Sequence, residues 1–133
     1  VADDVIERLR AFYQGLLVGD LAPAEALFDF DNLVMREPDG LPYGGEYRGK
    51  KGFVEGISAI NAVWKRVRFA DLQYSVGADL AIVHFTMSAI SRATGRELCM
   101  PVCELWRFRN GRAVEVSPFY WDTHAARAVT GGA

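Results

Sequence analysis

Apolar positions recur at helical spacing along the first part of the chain. Val5, Ile6, Leu9, Phe12, Tyr13, Leu16 and Leu17 form one stripe, the i, i+3, i+4 pattern of a helix with one buried face. Asp4 with Glu7 three residues on resembles a capping box at its start, and Gly19 closes it. Pro23 fits the first turn of a second, short helix carrying Ala26, Leu27 and Phe28. "NLVMREP" (32–38) predicts a brief strand that Pro38 ends, and "PDGLPYGGEYRG" (38–49) predicts a turn or irregular hairpin. A third helix follows, with Phe53, Ile57, Ile60 and Trp64 on one face.

From Lys65 onward the apolar period changes to two. Val67 and Phe69 fall on odd positions, then Leu72, Tyr74 and Val76 on even ones. That slip of phase predicts a bulge near Ala70–Asp71. Two long strands, about 80–93 and 97–109, join through "ATGRE". "NGR" (110–112) makes the next tight turn, and 113–121 is the last strand. The tail from Asp122 adds a helical turn, and "TGGA" is expected to fray. Helices first and a meander after give an α+β domain, expected to span 1–133 as one unit.

Alternation assigns the strand faces. On 80–93 the odd positions Val83, Phe85, Met87 and Ala89 are apolar, while Ile82, His84, Thr86, Ser88 and Ile90 are mixed. Cys99, Pro101, Cys103 and Leu105 continue the mixed face on 97–109. A sheet face too apolar to be simply wet predicts a homodimer formed through it. The other face of 97–109 carries Met100, Val102, Glu104, Trp106 and Phe108. Glu104 is the anomaly there, a carboxylate among four large apolar neighbours.

Composition narrows the function classes. Fifteen basic and seventeen acidic residues give a formal charge of −2, so there is no electrostatic footprint for nucleic acid and no polybasic block for a membrane surface. Half the residues are hydrophobic, yet the apolar runs are too short to span a bilayer. Cys99 and Cys103 lie about 13 Å apart on an extended strand, beyond disulfide reach. Free thiols and the lack of a signal-peptide pattern lead to the expectation of a cytoplasmic protein. His84 and His124 have no ligand-spaced neighbours, so no metal site is expected.

The segments "LLVGDLAPAEALF", "NLVMREPDG", "GGEYRGKKGFVEGI" and "ELWRFRNGRAVEVSPFYW", in this order and spacing, resemble the nuclear transport factor 2-like, or SnoaL-like, superfamily that includes the ketosteroid isomerases. The resemblance covers nearly the whole chain. It implies a cone-shaped, curved, mostly antiparallel sheet wrapped around N-terminal helices, the cystatin-like roll. The isomerases carry a general-base Asp directly before a proline, and "REPDG" puts Glu37 there. They carry a protonated Asp four residues before the Phe of an "RF" pair, and "ELWRF" puts Glu104 there. Their pocket-closing aromatic falls on Tyr120. Their oxyanion tyrosine, eight residues before the Asp of "GD", falls on Phe12, with Tyr13 one place and about 100° further round the helix.

The resemblance implies a cofactor-free enzyme that moves protons on a small hydrophobic carbonyl compound, an isomerase or dehydratase. Glu104, desolvated and neutral, would donate a hydrogen bond, and Glu37, nearer the rim, would stay ionised as base. Phe12, Tyr13, Tyr43, Phe85, Met87, Trp106 and Tyr120 are the candidate substrate-binding residues. A polyketide cyclase, an epoxide hydrolase and a non-catalytic binder are the other classes. Cyclases place an acid–base Asp on the last strand, where this chain has Ser117 and Pro118, with Glu115 at the opposite parity to Val114, Val116 and Tyr120. No Asp–Arg–Asp set of the hydrolase kind stands out. The simpler alternative for Glu104 is an ion pair with an arginine such as Arg68 or Arg92, or hydrogen bonds to a turn.

Overall fold

The computed structural model describes residues 2–132. Its elements, in order, are α1 (Ala2–Val18), α2 (Ala22–Leu27), β1 (Val34–Glu37), β2 (Gly45–Arg48), α3 (Gly49–Val63), β3 (Trp64–Val76), β4 (Leu80–Ser91), β5 (Glu97–Arg109), β6 (Arg112–Tyr120) and α4 (Thr123–Val129). The strands form one open, curved sheet in the order β2-β1-β6-β5-β4-β3. Every neighbouring pair is antiparallel except β1 and β6, which run parallel. α1 and α3 pack on the inner face, so the core lies between helices and sheet.

Local sequence accounts for most of these elements. In α1, Leu9, Phe12 and Tyr13 are buried, while Leu17 and Val18 at the helix end are exposed. Asp4 does not cap α1, which already runs from Ala2; it pairs with Arg8 one turn on, at 3.1 Å. Gly19 takes a left-handed φ of 74° that ends the helix. In β3 the expected bulge appears as a register shift between Ala70 and Gln73, with Asp71 at φ 56°. A second shift, between Lys65 and Arg68 with Arg66 at φ 54°, had no signature in the hydrophobic pattern. Asn110 and Gly111 both have positive φ, as a two-residue turn between antiparallel strands requires.

Three boundaries differ from the pattern-based reading. Trp64 opens β3 instead of closing the third helix. The Gly/Pro-rich stretch holds a real strand, β2, paired with β1 from Val34–Arg48 to Glu37–Gly45. The tail forms a helix of seven residues capped by Asp122, whose carboxylate accepts from the Ala125 N–H. Its end is tied down: Gly131 and Gly132 donate to Ala128 and Arg127 carbonyls, and Thr94 Oγ1 donates to the Val129 carbonyl. The final Ala133 of "TGGA" lies outside the described residues.

Candidate functional site

Strand register brings the two glutamates together. On β5, residues 98, 100, 102 and 106 are buried and face the helices, and Glu104 shares their parity. Glu104 pairs with Pro118 across the β5–β6 ladder. On β1, Met35 and Glu37 are the buried positions. Met35 pairs with Val116, and two residues further along the same parallel register Glu37 comes opposite Pro118. The carboxylates therefore flank Pro118 from the strands on either side, with backbones about two strand spacings, or ~10 Å, apart.

Both border one apolar cavity, whose other walls include Phe12, Phe85, Met87, Pro118 and Tyr120. Leu16, Leu17 and Asn61 contribute from the two long helices. Tyr13, Tyr43 and Trp106 do not border it; they stand behind residues that do. Behind the wall, Phe12 and Phe28 meet the Trp106 ring at 5.3 and 5.6 Å between centroids, and Phe28 meets Phe53 at 5.0 Å. That cluster fixes the wall.

Glu104 is half-buried and forms no ion pair among the described residues; Arg92 instead donates to the Asn61 carbonyl at 2.7 Å. Tyr13 donates its hydroxyl proton to Glu104 Oε1, and Trp106 Nε1 donates to the Tyr13 oxygen at 3.1 Å. Tyr13, rotated away from the position that the isomerase pattern marks, thus reaches the carboxylate directly, while Phe12 lines the cavity. Burial pushes the Glu104 carboxyl up to about 7, the Tyr13 hydrogen bond pulling the other way.

Glu37 is only 8% exposed. It is therefore buried as well, instead of standing at an open rim. The reason is β2, which covers β1 on its other edge, together with the turn 38–44, where Leu41 and Gly44 bond back to Pro38 and Leu41 carbonyls. Glu37 Oε1 is buried with no hydrogen-bond partner. Burial first, then the charge of Glu104, holds its carboxyl well above the usual range. When one proton is shared at this site, Tyr13 favours Glu104 as the ionised member and Glu37 as the neutral one.

A second hydrogen-bonded set lies beside the first. Trp64 Nε1 donates to Tyr43 Oη at 2.9 Å, Tyr43 and Tyr120 share a hydrogen bond of 2.7 Å, and the Tyr47 hydroxyl donates to the Tyr43 carbonyl at 2.7 Å. Pattern reasoning had Trp64 as a helix-face residue and attached no role to Pro118. The pairing of a loop tyrosine with one 77 residues later leaves no periodic trace, although the Pro and Gly residues around Tyr43 were a signal of specific backbone geometry. Glu115 faces the other side of the sheet, near Arg36 and Arg107 at 3.7 Å each, and accepts from the Ser117 hydroxyl. The last strand therefore offers the cavity no acid. The described residues hold no cluster suited to a metal ion, and no helix among them is long and apolar enough to cross a membrane.

Residues 9–116 match the family described as SnoaL-like domain. No curated protein matches the chain in sequence. Among solved structures, the chain is similar to an NTF2-like protein of unknown function from Burkholderia pseudomallei K96243, with TM-score 0.85, 24% identity, and 95% of this chain and 96% of that one covered. It is similar to TerC co-crystallised with polyporic acid, with TM-score 0.83, 21% identity, and coverage of 96% and 98%. It is also similar to a protein with a ketosteroid isomerase-like fold from Catenulispora acidiphila DSM 44928 in complex with trimethylamine, with TM-score 0.75, 13% identity, and coverage of 96% and 94%. Likeness at these identities establishes the fold and leaves activity to be argued from the site.

Proposed function

We propose, on the premise that the chain belongs to the SnoaL-like domain family, that it is a cofactor-free acid–base enzyme acting on a small hydrophobic carbonyl compound. The observation that carries this reading is two carboxyl groups, Glu37 and Glu104, that border one apolar cavity with no ion pair among the described residues. Apolar walls with few convergent polar groups suit a ligand that is mostly hydrocarbon with one oxygen handle. Carboxyl groups lifted from their ordinary range by burial can transfer protons near neutrality.

The roles follow from the hydrogen bonds and reverse those implied by the resemblance. Glu104, ionised and steadied by Tyr13, takes a proton from the carbon next to the carbonyl. Negative charge develops on the carbonyl oxygen, and neutral Glu37 donates a hydrogen bond to it. Return of the proton to a different carbon completes an isomerisation; loss of a β-hydroxyl as water, with Glu104 giving its newly gained proton to the leaving hydroxyl, completes a dehydration. A cyclase would need an acid on the last strand, and Glu115 points to the opposite face.

The test is hydrogen–deuterium exchange at the α-carbon of 2-tetralone in D2O, followed by proton NMR. Exchange should rise through about pH 7 as Glu104 ionises. Glu104→Gln should lose about 10²–10⁴ in rate, the worth of a positioned base. Glu37→Gln keeps a donor and should lose less than Glu37→Ala, for which about 10²–10³ is expected. Saturable binding of 2-tetralone without exchange above the Glu104→Gln level would make the protein a binder and sink the reading.

The same proposal includes a second copy of the chain as partner. The outer sheet face carries half-buried Ile82, Cys103 and Leu105 and runs into Phe119 and Trp121, which are 60% and 79% exposed. A two-fold contact through that face would cover apolar surface that no element of this chain covers.

A further inference from the structure

The two indole–phenol pairs beside the cavity end differently, and hydrogen counting shows how. Each tyrosine hydroxyl has one proton and accepts through its oxygen, whereas an indole N–H can only donate. Tyr13 accepts from Trp106 and gives its proton to Glu104, so its hydroxyl is fully committed to the carboxylate. Tyr43 accepts from Trp64 and shares a bond with Tyr120. If Tyr120 were the donor in that bond, the Tyr43 proton would lie buried with no acceptor, since Tyr43 is 2% exposed and its hydroxyl has no third partner among the described residues. A buried donor left unmet carries the full desolvation penalty. Donation from Tyr43 to Tyr120 satisfies Tyr43 and leaves the free proton on Tyr120 instead. The Tyr120 proton then points away from Tyr43, and Tyr120 borders the cavity.

We infer that Tyr120 is a ligand-binding donor that presents its O–H to the ligand's oxygen, and that Tyr43 and Trp64 are positioning residues that set the direction of that hydrogen bond. This rests on the acid–base reading above for the identity of the ligand oxygen, a carbonyl or enolate on an apolar frame. Tyr120 lies two residues along β6 from Pro118, on the same inner face, and borders the same cavity as Glu37. Burial first, then Tyr43 and Glu37, holds the Tyr120 phenol far above its ordinary range, so it keeps its proton at neutral pH and acts as a donor only.

The direction of the chain can be read without any ligand. With tyrosine labelled at 13Cζ in equal parts H2O and D2O, a slowly exchanging hydroxyl splits its carbon line and a rapidly exchanging one averages it. Tyr43 should give two lines and Tyr120 one. Two lines from Tyr120, or one from Tyr43, would overturn the inference. Binding of 2-naphthol, a stable phenolic oxygen on an apolar frame, supplies the second readout. Tyr120→Phe should weaken it about tenfold, the worth of one hydrogen bond, and Tyr43→Phe about threefold. The double variant should match Tyr120→Phe alone, because Tyr43 acts only through Tyr120; additive losses would overturn the relay. Glu37→Ala and Glu104→Ala, titrated in parallel, separate the two ideas. Naphthol affinity that falls with Tyr120→Phe but with neither carboxyl variant would discard the carboxyl roles and keep the Tyr120 donor.

Discussion

Among the described residues, Glu37 and Glu104 meet no cation in a chain with fifteen basic residues, and Pro118 is part of the reason. Its ring stands between them on the inner face, offering neither a donor to bridge them nor a charge to neutralise them. The arginines of β1 and β5 nearest the site, Arg36 and Arg107, have the opposite parity and meet Glu115 on the outer face. The lifted carboxyl groups have a consequence for stability. A carboxyl that holds its proton more tightly folded than unfolded makes the folded state bind more protons, so stability falls as pH rises between the two values. For Glu104 the window runs from its ordinary 4.5 to about 7, and Glu37 extends the same sign upward. Melting temperature should therefore decline from pH 4.5 to 7, and Glu104→Gln and Glu37→Gln should each flatten the decline. An unchanged slope in both variants would mean that neither group is held neutral by the fold.

Among the elements, α3 decides how closely the helical layer approaches β1 and β2. Gly52 and Gly56, one turn apart, face the sheet. A Cβ on Gly52 would lie 2.8 Å from the Tyr47 carbonyl carbon, and one on Gly56 would lie 2.1 Å from Met35 Cε. Replacing a mid-helix glycine by alanine ordinarily stabilises a helix by about 1 kcal/mol. Here backbone stands in the way, and overpacking costs about 1–3 kcal/mol. Gly52→Ala should thus lower the melting temperature by several degrees, measured by circular dichroism; a rise would show that α3 can back away from β2. The two glycines were readable only as gaps in the apolar stripe of Phe53, Ile57 and Ile60. Periodicity says which helix face is buried, and the distance to the next layer is a property of the pair.

For the whole molecule, the open question of surface is the outer sheet face. β2 and β3 are the edges of the sheet, and α1 and α3 pack on its inner side. A dimer through the outer face should sediment as two chains at micromolar concentration, and Leu105→Asp, in the middle of β5, should yield monomers that keep the fold. A wild-type monomer under those conditions would sink the dimer.

The amino-acid pattern by itself determined the order of helices and strands, the bulge at Asp71 and the Asn110–Gly111 turn, because these depend on side-chain spacing and on backbone preferences of single residues. It also determined that Glu104 faces inward, since alternation along a strand is geometry that no partner can alter. The position of Glu37 before Pro38 marked the end of a strand and nothing about depth. Only the tertiary structure decided that Glu37 is buried beside Glu104, because the parallel neighbour β6 that sets their spacing comes from a distant part of the chain. It alone decided that Tyr13 serves Glu104, across 91 residues, and that Tyr43 meets Tyr120, across 77. Hydrogen bonds between side chains on different elements depend on how those elements pack, and the chain's local pattern carries no record of that.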